Sequence, residues 1–600
     1  MNAKNFLILA CFFSSALAAN VFSVKDFGAV ADGKTDDAAA IYKAVAAAQS
    51  AKAPAVIEFA SGRYCVMPPN PGFIGALDFT SVSNLTFRGK GTNTVILVGR
   101  PPYGGFRFFR SANIAVEELV IDYDIVPFVQ GKVLGVDTTA GTLDLAVDRG
   151  YPSPLAPFFE SAKASWGIKV GPGELYDLYV HRTTNFVPLG DSVFRFIYKD
   201  GAELRKQAIA KGDSFVHGFR WYVESALNIW ESTNIRIKNV GVYASTSVTT
   251  TFANSENIHI DGFVVTRKPG SDRMISSCAD GIHAFGVRGT FTIEHCRFDG
   301  MLDDSINIHC RAASIHSNIS ATKLIVNSYG TFRCAPGDRL QIYDPATAGI
   351  RGIRKVVSFT QTSGVLFELE IDSPLRGIRE GKNVREADNL FNLDASGGTC
   401  VIRNNFFGRH RGRSVLLRTP NALVQSNTFE NIDGLAVAMT IDSRWPEGPV
   451  PAGIVIEGNV FRGVDLPKLW GSPVIQATLT TGSGEPAKTR DLRDIEIRNN
   501  LFLEPRGSVI DMRNVDGLKI ISNEVRVTRI GIHDASPGPF VGLYQSSRVL
   551  VDTFTVSDPN ANAGSVLRID KTVDAGSGGI VVRNLKTKLN TGKPDVEDLR

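Results

Sequence analysis

The chain has 600 residues, with 65 Lys and Arg against 61 Asp and Glu and a formal net charge of +4. This length suffices for a large core and exceeds the size of most single domains. The charges are nearly balanced and form no basic block, which argues against a nucleic-acid partner and against a strongly anionic polymer as the main ligand.

The first 19 residues have the pattern of an export signal. Lys4 supplies a positive charge, residues 6–13 form an apolar run, and residues 14–19 are mostly small, as in a cleavage region. The apolar run is too short to span a bilayer as a helix, and no later segment has the required apolar length. We therefore predict a signal peptide at 1–19, no membrane span, and a secreted or periplasmic protein.

The six cysteines that follow the predicted signal show no CxxC pair and no tight Cys/His spacing. This pattern argues against a zinc site. Export permits disulfides, but a chain of this size does not need them. We predict buried free thiols for most of the cysteines, no metal and no cofactor.

The mature N-terminus leads into an Ala-rich stretch at 38–51 with helical spacing, for which Asp36 or Asp37 is a candidate N-cap. A short helix here would cover the open end of a solenoid, which otherwise exposes strand edges and apolar core. A strand at 56–59 and a turn at 62–64 follow. This opening resembles the N-terminal cap of pectate-lyase-like β-helix proteins, which implies a fold and not a reaction type.

Short apolar strands that end in Asn recur along the rest of the chain. Asn405 and Asn427 are 22 residues apart, and Asn500 and Asn523 are 23 apart, which is the length of one β-helix coil. The strands alternate apolar and polar residues. Asn tolerates the left-handed turn conformation and can bond its neighbour in the next coil. The repeat therefore predicts stacked parallel coils.

Two stretches with alternating strands and Pro- or Gly-containing loops interrupt this repeat, at 131–215 and 318–388. The predicted fold is all-β: a right-handed parallel β-helix with a short N-terminal capping helix and two inserted small β-barrel domains. The cap and first coils are placed at 20–130, the catalytic coils at 216–317, and the C-terminal coils at 389–600.

The densest polar cluster contains Asp280, Asp303 and Asp304. Asp280 precedes the pair by 23 and 24 residues, one coil, which would bring the carboxylates to about 5 Å in the strand-pairing direction. Repulsion among them should raise the pKa of at least one, so that one group is a general acid while another stays a base. We predict that all three are catalytic, with the pair at a bend or bulge; the alternative is ordinary Asp-Asp and Asp-Gly turns.

Six further residues are predicted to bind substrate: His283, Asn307, His309, Arg411, Trp445 and Glu447. The first three accompany the aspartates, and the tryptophan is one of only five, in a loop rich in Pro and Gly. An aromatic face with an Arg and a Glu nearby is a common way to hold a sugar ring. The alternative is a charged turn around Arg411 and a loop without a functional role around Trp445.

The segments at 280–283 and 301–309, with 409–412 and 444–449 downstream, resemble the β-helix glycosidases. They are most similar to glycoside hydrolase family 110, the α-1,3-galactosidases, and the likeness covers nearly the whole mature chain. The resemblance implies cleavage of terminal α-1,3-linked galactose on a glycan. The two insertions should narrow the groove to a pocket and so favour exo-action. Three clustered carboxylates suit one proton donor and two groups that hold water, as in hydrolysis with inversion, and the resemblance supports the same roles. In that mechanism Asp303 would be the general acid, and Asp280 and Asp304 would hold and deprotonate the attacking water.

Two other functions stay open. Polygalacturonases and other β-helix polysaccharide hydrolases share the coil spacing, but polygalacturonases have Asn-Thr-Asp where this chain has Cys278-Ala279-Asp280, and they carry a Gly-His-Gly that it lacks. Its one Arg-Ile-Lys, at 236–238, lies upstream of the aspartates. A lyase would need a Ca²⁺ cage and a Lys or Arg base, which this region does not show. The second alternative is a non-catalytic glycan-binding solenoid.

Overall fold

A computed structural model of the chain describes residues 20–69, 74–170, 176–181, 183–222, 224–328, 331–432, 434–442, 445–464, 472–531, 538–573 and 579–600. The predicted signal peptide at 1–19 lies outside these ranges. Within them, no helix combines the length and the apolar character needed to cross a bilayer.

Three ladders of parallel strands stack coil upon coil to form a right-handed β-helix. The N-terminal coils contain β1 (Asn20–Ser23), β2 (Asp32–Asp36), β3 (Ala55–Glu58), β4 (Gly62–Val66), β5 (Gly75–Thr80), β6 (Ser83–Arg88), β7 (Thr94–Val98), β8 (Gly104–Phe109) and β9 (Ala112–Tyr123). Helix α1 (Ala38–Ser50) lies between β2 and β3 and buries its apolar face against the first coil. The predicted capping helix is therefore present.

Asp37 occupies the N-cap position of α1 but does not cap the helix with its side chain. Its carboxylate accepts from the N–H groups of Val30 and Ala31, at 2.6 and 3.1 Å. The N–H of Ala38 donates instead to Asp36, at 3.1 Å. Asp37 thus occupies the N-cap position, whereas Asp36 accepts the hydrogen bond from the first turn of the helix.

The first interruption of the ladders is an antiparallel sheet of seven strands in the order β13-β12-β16-β10-β11-β15-β14. Its strands are β10 (Phe128–Asp137), β11 (Thr142–Val147), β12 (Ala164–Val170), β13 (Tyr176–His181), β14 (Thr183–Gly190), β15 (Val193–Tyr198) and β16 (Ser214–Arg220). Phe159 from the 3₁₀ turn Pro157–Ser161 and Leu204 from α2 (Ala202–Lys206) join its apolar core. The seven strands form an open sheet, and these two side chains help to bury its apolar face, which would be buried inside if the sheet closed into a barrel.

The central coils follow, and their last strand leads into the second interruption. Their strands are β17 (Leu227–Trp230), β18 (Thr233–Val242), β19 (Thr250–Ala253), β20 (Glu256–Asp261), β21 (Val264–Val265), β22 (Ile282–Phe285), β23 (Arg288–Glu294), β24 (Arg297–Phe298) and β25 (Ile306–Arg311). The second interruption is a closed six-stranded barrel of β26 (Ala313–Asn318), β27 (Lys323–Asn327), β28 (Arg339–Asp344), β29 (Gly349–Ser363), β30 (Leu366–Ile371) and β31 (Asn389–Asn392). The domain boundaries stated above stay a prediction.

The C-terminal coils start after the 3₁₀ turn Leu393–Ala395 and continue close to the end of the chain. Their strands are β32 (Thr399–Arg403), β33 (Phe406–Gly408), β34 (Val415–Leu417), β35 (Ala422–Gln425), β36 (Thr428–Ile432), β37 (Val437–Asp442), β38 (Glu447–Gly448), β39 (Ala452–Glu457), β40 (Val460–Val464), β41 (Ile475–Thr480), β42 (Leu492–Arg498), β43 (Leu501–Leu503), β44 (Ile510–Arg513), β45 (Val515–Ile521), β46 (Glu524–Arg526), β47 (Val541–Tyr544), β48 (Ser547–Asp552), β49 (Thr555–Asp558), β50 (Leu567–Ile569), β51 (Ile580–Arg583), β52 (Lys586–Leu589) and β53 (Val596–Asp598). A stack of phenylalanines, with centroids 4.7–5.3 Å apart, fills their interior: Phe298, Phe407, Phe429, Phe461 and Phe502.

A ladder of buried asparagines ties these coils together: Asn405, Asn427, Asn459, Asn500 and Asn523. Each of the first four donates from Nδ2 to the Oδ1 of the next, at 2.9 or 3.0 Å. The left-handed conformation, which the sequence predicts for these asparagines, belongs instead to the residue before each: Asn404, Ser426, Gly458, Asn499 and Ser522. One residue of each adjacent pair therefore adopts the left-handed turn conformation, and the asparagine after it makes the hydrogen bonds between coils.

Candidate active site

Asp280 and the Asp303-Asp304 pair lie in the turns that lead into β22 and β25. The two strands are parallel neighbours with Ile282 opposite Ile306, so Asp280 is stacked directly on Asp304. The N–H of Gly281 donates to the Asp304 carbonyl at 2.9 Å. Carboxylate oxygens of the three aspartates approach within 4.8 Å of one another. The turn before β25 is the bend that the adjacent pair requires to face one site.

Arg413 neutralises Asp304. Its Nε and Nη2 donate to the two carboxylate oxygens, each at 2.8 Å, and its backbone N–H adds a third bond of 2.8 Å. Burial alone would raise the pKa of Asp304, but the charge and hydrogen bonds of Arg413 outweigh it and lower that pKa. Asp304 is therefore an ionised carboxylate held in a fixed orientation.

Asp303 has the opposite electrostatic surroundings. Burial and the neighbouring charges of Asp280 and Asp304 raise the pKa of Asp303 to about 7, although Arg411 and Arg220 oppose the rise. Those two guanidinium groups lie 3.4 and 3.9 Å from its oxygens. The Asp303 side chain is 23% exposed, against 6% for Asp280 and 2% for Asp304. The protonated member of the cluster is thus also the accessible one.

Gly412 lets the loop pass close to the aspartate pair, so that Arg411 contacts Asp303 and Arg413 contacts Asp304. It has φ +99°, a conformation that favours glycine. A Cβ at this position would lie 2.8 Å from the Asp303 carbonyl carbon and 2.9 Å from Asp304 Oδ1. Only glycine fits the close approach of this loop to the catalytic turn.

A chain of hydrogen bonds leads away from Asp280 through two histidines. Asp280 Oδ2 lies 2.7 Å from His283 Nδ1, and His283 Nε2 lies 2.9 Å from His309 Nε2. His309 Nδ1 is buried and has no partner among the described residues. This arrangement is satisfied when His283 carries its proton on Nδ1 and His309 on Nε2, so that both protons point towards Asp280.

Glu447 lies beside this chain, 3.6 Å from His309 Nε2, a distance longer than a hydrogen bond. It forms a buried ion pair with Arg418 and lies 3.5 Å from Arg311. Burial raises the pKa of Glu447, but His309 and Arg418 outweigh it and hold that pKa well below its usual range. His309 and Glu447 are both buried, the first bonded to His283 and the second paired with Arg418, so their predicted contact with substrate stays a prediction.

The other predicted binding residues lie at both ends of β25 and on the coil that follows it. Asn307 is in register with His283, and its buried Oδ1 accepts no hydrogen bond from the described residues. Arg411 contacts Asp303, as stated above. Trp445 is exposed two residues before Glu447, in a loop anchored beside the end of β25 by a 3.0 Å bond from Ala312 to the Pro446 carbonyl.

Three arginines of the site were missed by the sequence analysis, for one physical reason. Arg413 occupies the position of Asp304 on the next coil, and Arg418 occupies the position of His309. Because the inserted barrel intervenes, the members of each pair are 109 residues apart in the sequence. Arg220 reaches Asp303 from β16 of the other insertion. Alignment of the strands on both sides of the barrel, Ile306–Arg311 and Val415–Leu417, is the signal that would have found the first two.

Guanidinium groups supply the positive charge at this cluster. The three aspartates offer ligand atoms close enough to share a metal ion, as do His283, His309 and Glu447 nearby. Asp304 is already paired with Arg413, and Glu447 with Arg418. The geometry therefore fits proton-transfer chemistry by carboxylates.

The chain is similar in sequence to known proteins over most of its length. Residues 21–145 match the family "Rhamnogalacturonase A/epimerase, pectate lyase-like". The α-1,3-galactosidase A of Peterkaempfera griseoplana is 25% identical over 96% of this chain and 85% of its own length. The chain is a relative of the α-1,3-galactosidases. The resemblance predicted from its motifs is thereby confirmed.

A second α-1,3-galactosidase, form B of Bacteroides thetaiotaomicron, is 24% identical over 85% of this chain and 86% of its own length. Among solved structures, the catalytic unit of a GH87 α-1,3-glucanase from Streptomyces thermodiastaticus aligns with 97% of this chain and 70% of its own, at 10% identity and a TM-score of 0.47. Relationship to the α-1,3-galactosidases over most of the chain supports a glycosidase.

Proposed function

We propose that the chain is an exo-acting glycosidase that releases terminal α-1,3-linked galactose with inversion of configuration. The observation that carries the proposal is the contrast within the aspartate cluster. Asp303 is the most exposed of the three and has a pKa of about 7, while Asp304 is buried and kept ionised by Arg413. One proton donor beside fixed carboxylates is the arrangement that acid- and base-assisted glycoside hydrolysis needs. The bond specificity comes from the relatives.

In the proposed reaction, Asp303 donates its proton to the glycosidic oxygen as the bond to galactose breaks. A water held by Asp280 and Asp304 attacks the anomeric carbon, and a carboxylate takes its proton. We assign the proton to Asp280, because Arg413 bonds both oxygens of Asp304 and holds it in the ionised form. A water that bonds two carboxylate oxygens at about 2.8 Å each spans roughly 4.5 Å, which the 4.8 Å cluster accommodates.

Burial is the argument for inversion. Carboxyl groups of inverting enzymes are typically about 6.5–9.5 Å apart, and this cluster is tighter. However, Asp280 and Asp304 are almost wholly buried and hydrogen-bonded to His283 and Arg413. A nucleophile for a double displacement must reach the anomeric carbon itself, whereas buried carboxylates act through a small water molecule.

Exo-action is proposed because both insertions border the site. Arg220 at the end of β16 reaches Asp303 from the first insertion. The loop with Trp445 lies beside the end of β25, where the chain enters the barrel. We expect the two insertions to narrow the groove to a pocket, so galactose should appear without an early drop in polymer viscosity.

Export is the remaining part of the proposal and rests on the pattern of residues 1–19. Expression of the full chain should yield a mature protein in the periplasm or medium. Intact residues 1–19 on a cytoplasmic product would contradict this part alone.

The test of the proposed function is galactose release from an α-1,3-linked galactosyl disaccharide, within a panel of chromogenic glycosides, with and without a chelator. We expect release that a chelator does not affect. Asp303→Asn should lower kcat by at least about a hundredfold, and by much less on α-galactosyl fluoride, whose leaving group needs no proton. Thermal unfolding checks that the variant folds. An unsaturated product that requires Ca²⁺, or no turnover of any glycoside, would contradict the proposal.

A further inference from the structure

Two aromatic side chains among the described residues are strongly exposed to solvent. Tyr222 is 59% exposed and Trp445 is 63% exposed. Across the described ranges, no other Phe, Trp or Tyr belongs to the large apolar side chains that are exposed. Trp445 was predicted from the sequence to bind sugar, whereas Tyr222 had no role assigned.

Tyr222 is connected to the catalytic acid through Arg220. The Arg220 guanidinium carbon lies 5.3 Å from the centroid of the Tyr222 ring and 5.6 Å from that of Trp166. Its Nη1 lies 3.9 Å from Asp303 Oδ2. One face of the Tyr222 ring is therefore occupied by Arg220, and the exposed remainder of the ring faces solvent beside Asp303.

The Arg220 side chain has N–H donors that make no hydrogen bond to the described residues. Its side chain makes no hydrogen bond to any described residue, and its buried Nε is without an acceptor in the same set. The 3.9 Å approach to Asp303 is longer than a hydrogen bond. A guanidinium group has five N–H donors in a rigid fork. A ligand hydroxyl beside Asp303 would therefore meet an unengaged donor.

We propose that Arg220 and Tyr222 form the subsite for the leaving-group sugar. The open face of Tyr222 stacks on the apolar face of a neutral pyranose, and Arg220 donates a hydrogen bond to one of its hydroxyls. This inference rests on the proposed function, because it takes Asp303 as the proton donor.

The position of Asp303 decides which sugar ring is bound. A general acid contacts the glycosidic oxygen, which leaves with the aglycone, while the attacking water approaches galactose from the opposite face. Arg220 and Tyr222 lie on the side of Asp303, and the buried Asp280 and Asp304 hold the water. The first insertion thus binds the aglycone, while the aspartates on the coils of β22 and β25 carry out the reaction.

The test compares Tyr222→Ala with Tyr222→Phe on two substrates, an α-1,3-linked galactosyl disaccharide and α-galactosyl fluoride. The fluoride has no leaving-group ring. Tyr222→Ala should lower kcat/KM on the disaccharide by about tenfold, a typical effect of losing one aromatic contact, and leave the fluoride unaffected. Tyr222→Phe should retain both activities. Equal losses on both substrates, or no loss on the disaccharide, would overturn the subsite.

A matched control and a binding measurement separate this subsite from the proposed function. Leu189→Ala removes another exposed side chain of the same insertion and should change neither activity. Methyl β-galactoside, added in the presence of saturating galactose to fill the galactose subsite and followed by ligand-observed NMR, should bind the wild type and Tyr222→Phe but not Tyr222→Ala. Binding with this pattern in a protein that hydrolyses neither substrate would sink the proposed function and keep the subsite. Equal binding by all three proteins, or none, would sink the subsite.

Discussion

Arg413 holds both carboxylate oxygens of Asp304, through hydrogen bonds of 2.8 Å from Nε and from Nη2. The adjacent Asp303 lacks such a fork and meets Arg411 only at 3.4 Å and Arg220 at 3.9 Å. Two neighbouring aspartates therefore differ in protonation because they face different arginines. This division is what allows one turn to supply both an acid and a base.

Replacement of Arg413 by Met should impair the base side of the reaction. Without the fork, burial raises the pKa of Asp304, and its ionised form is lost at a higher pH than in the wild type. The acid limb of the kcat–pH profile should move towards neutral pH, with kcat about tenfold lower or more at pH 6. Arg413→Lys keeps the charge and should lie between the two. An acid limb that does not move would contradict the role of Asp304.

Replacement of Arg411 by Met should shift the alkaline limb. Arg411 lowers the pKa of Asp303, which burial and Asp280 raise to about 7. Removal of the positive charge raises that pKa further, so the proton stays on Asp303 to higher pH and activity persists there. Arg411→Lys should restore most of the wild-type limb. A shift of the limb to lower pH would show that Asp303 is not the acid.

Gly412→Ala should abolish turnover while it lowers the free energy of unfolding only moderately. The added Cβ would meet Asp303 and Asp304 at less than 3 Å, at a residue with φ +99°. Gly458→Ala is a matched control, since Gly458 has φ +64° and its Cβ would meet nothing closer than 3.7 Å. Both variants should lose about 1–2 kcal/mol of unfolding free energy from the left-handed conformation, but only Gly412→Ala should lose turnover. Equal turnover would contradict the close approach.

Asn459→Ala should weaken the stack of C-terminal coils. It removes the ladder bonds to Asn427 and Asn500 and leaves buried groups unpaired, at a cost of roughly 2–4 kcal/mol. Denaturant unfolding followed by circular dichroism would measure the loss. The exposed Asn590, whose amide makes only a 3.4 Å bond, is the control and should change stability by less than about 0.5 kcal/mol when replaced by Ala.

The fold and the aspartates were predictable because the coils repeat at a nearly constant interval. A period of 22–24 residues places Asp280 on Asp304 without knowledge of any contact. The apolar alternation of the strands and the Asn positions likewise report the stacking direction. Local signals of this kind survive as long as the chain does not leave the coil.

Residues brought in by the insertions escaped this reasoning. Arg413 is stacked on Asp304 but follows it by 109 residues, because the inserted barrel intervenes, and Arg220 comes from a separate antiparallel sheet. The barrel conceals the coil register that relates Arg413 to Asp304, and the distance of Arg220 depends on how the first insertion packs on the coils, which no period encodes. The left-handed role of the residue before each ladder Asn was missed for a different reason, since Asn is suited to both tasks.

The central claim is tested most directly by following α-1,3-linked galactosyl disaccharide hydrolysis by ¹H NMR and observing which galactose anomer forms first. Asp303 as acid, with water held by Asp280 and Asp304, predicts β-galactose as the first product, followed by slow mutarotation. Formation of α-galactose first would mean that a carboxylate attacks galactose directly, and it would contradict the account.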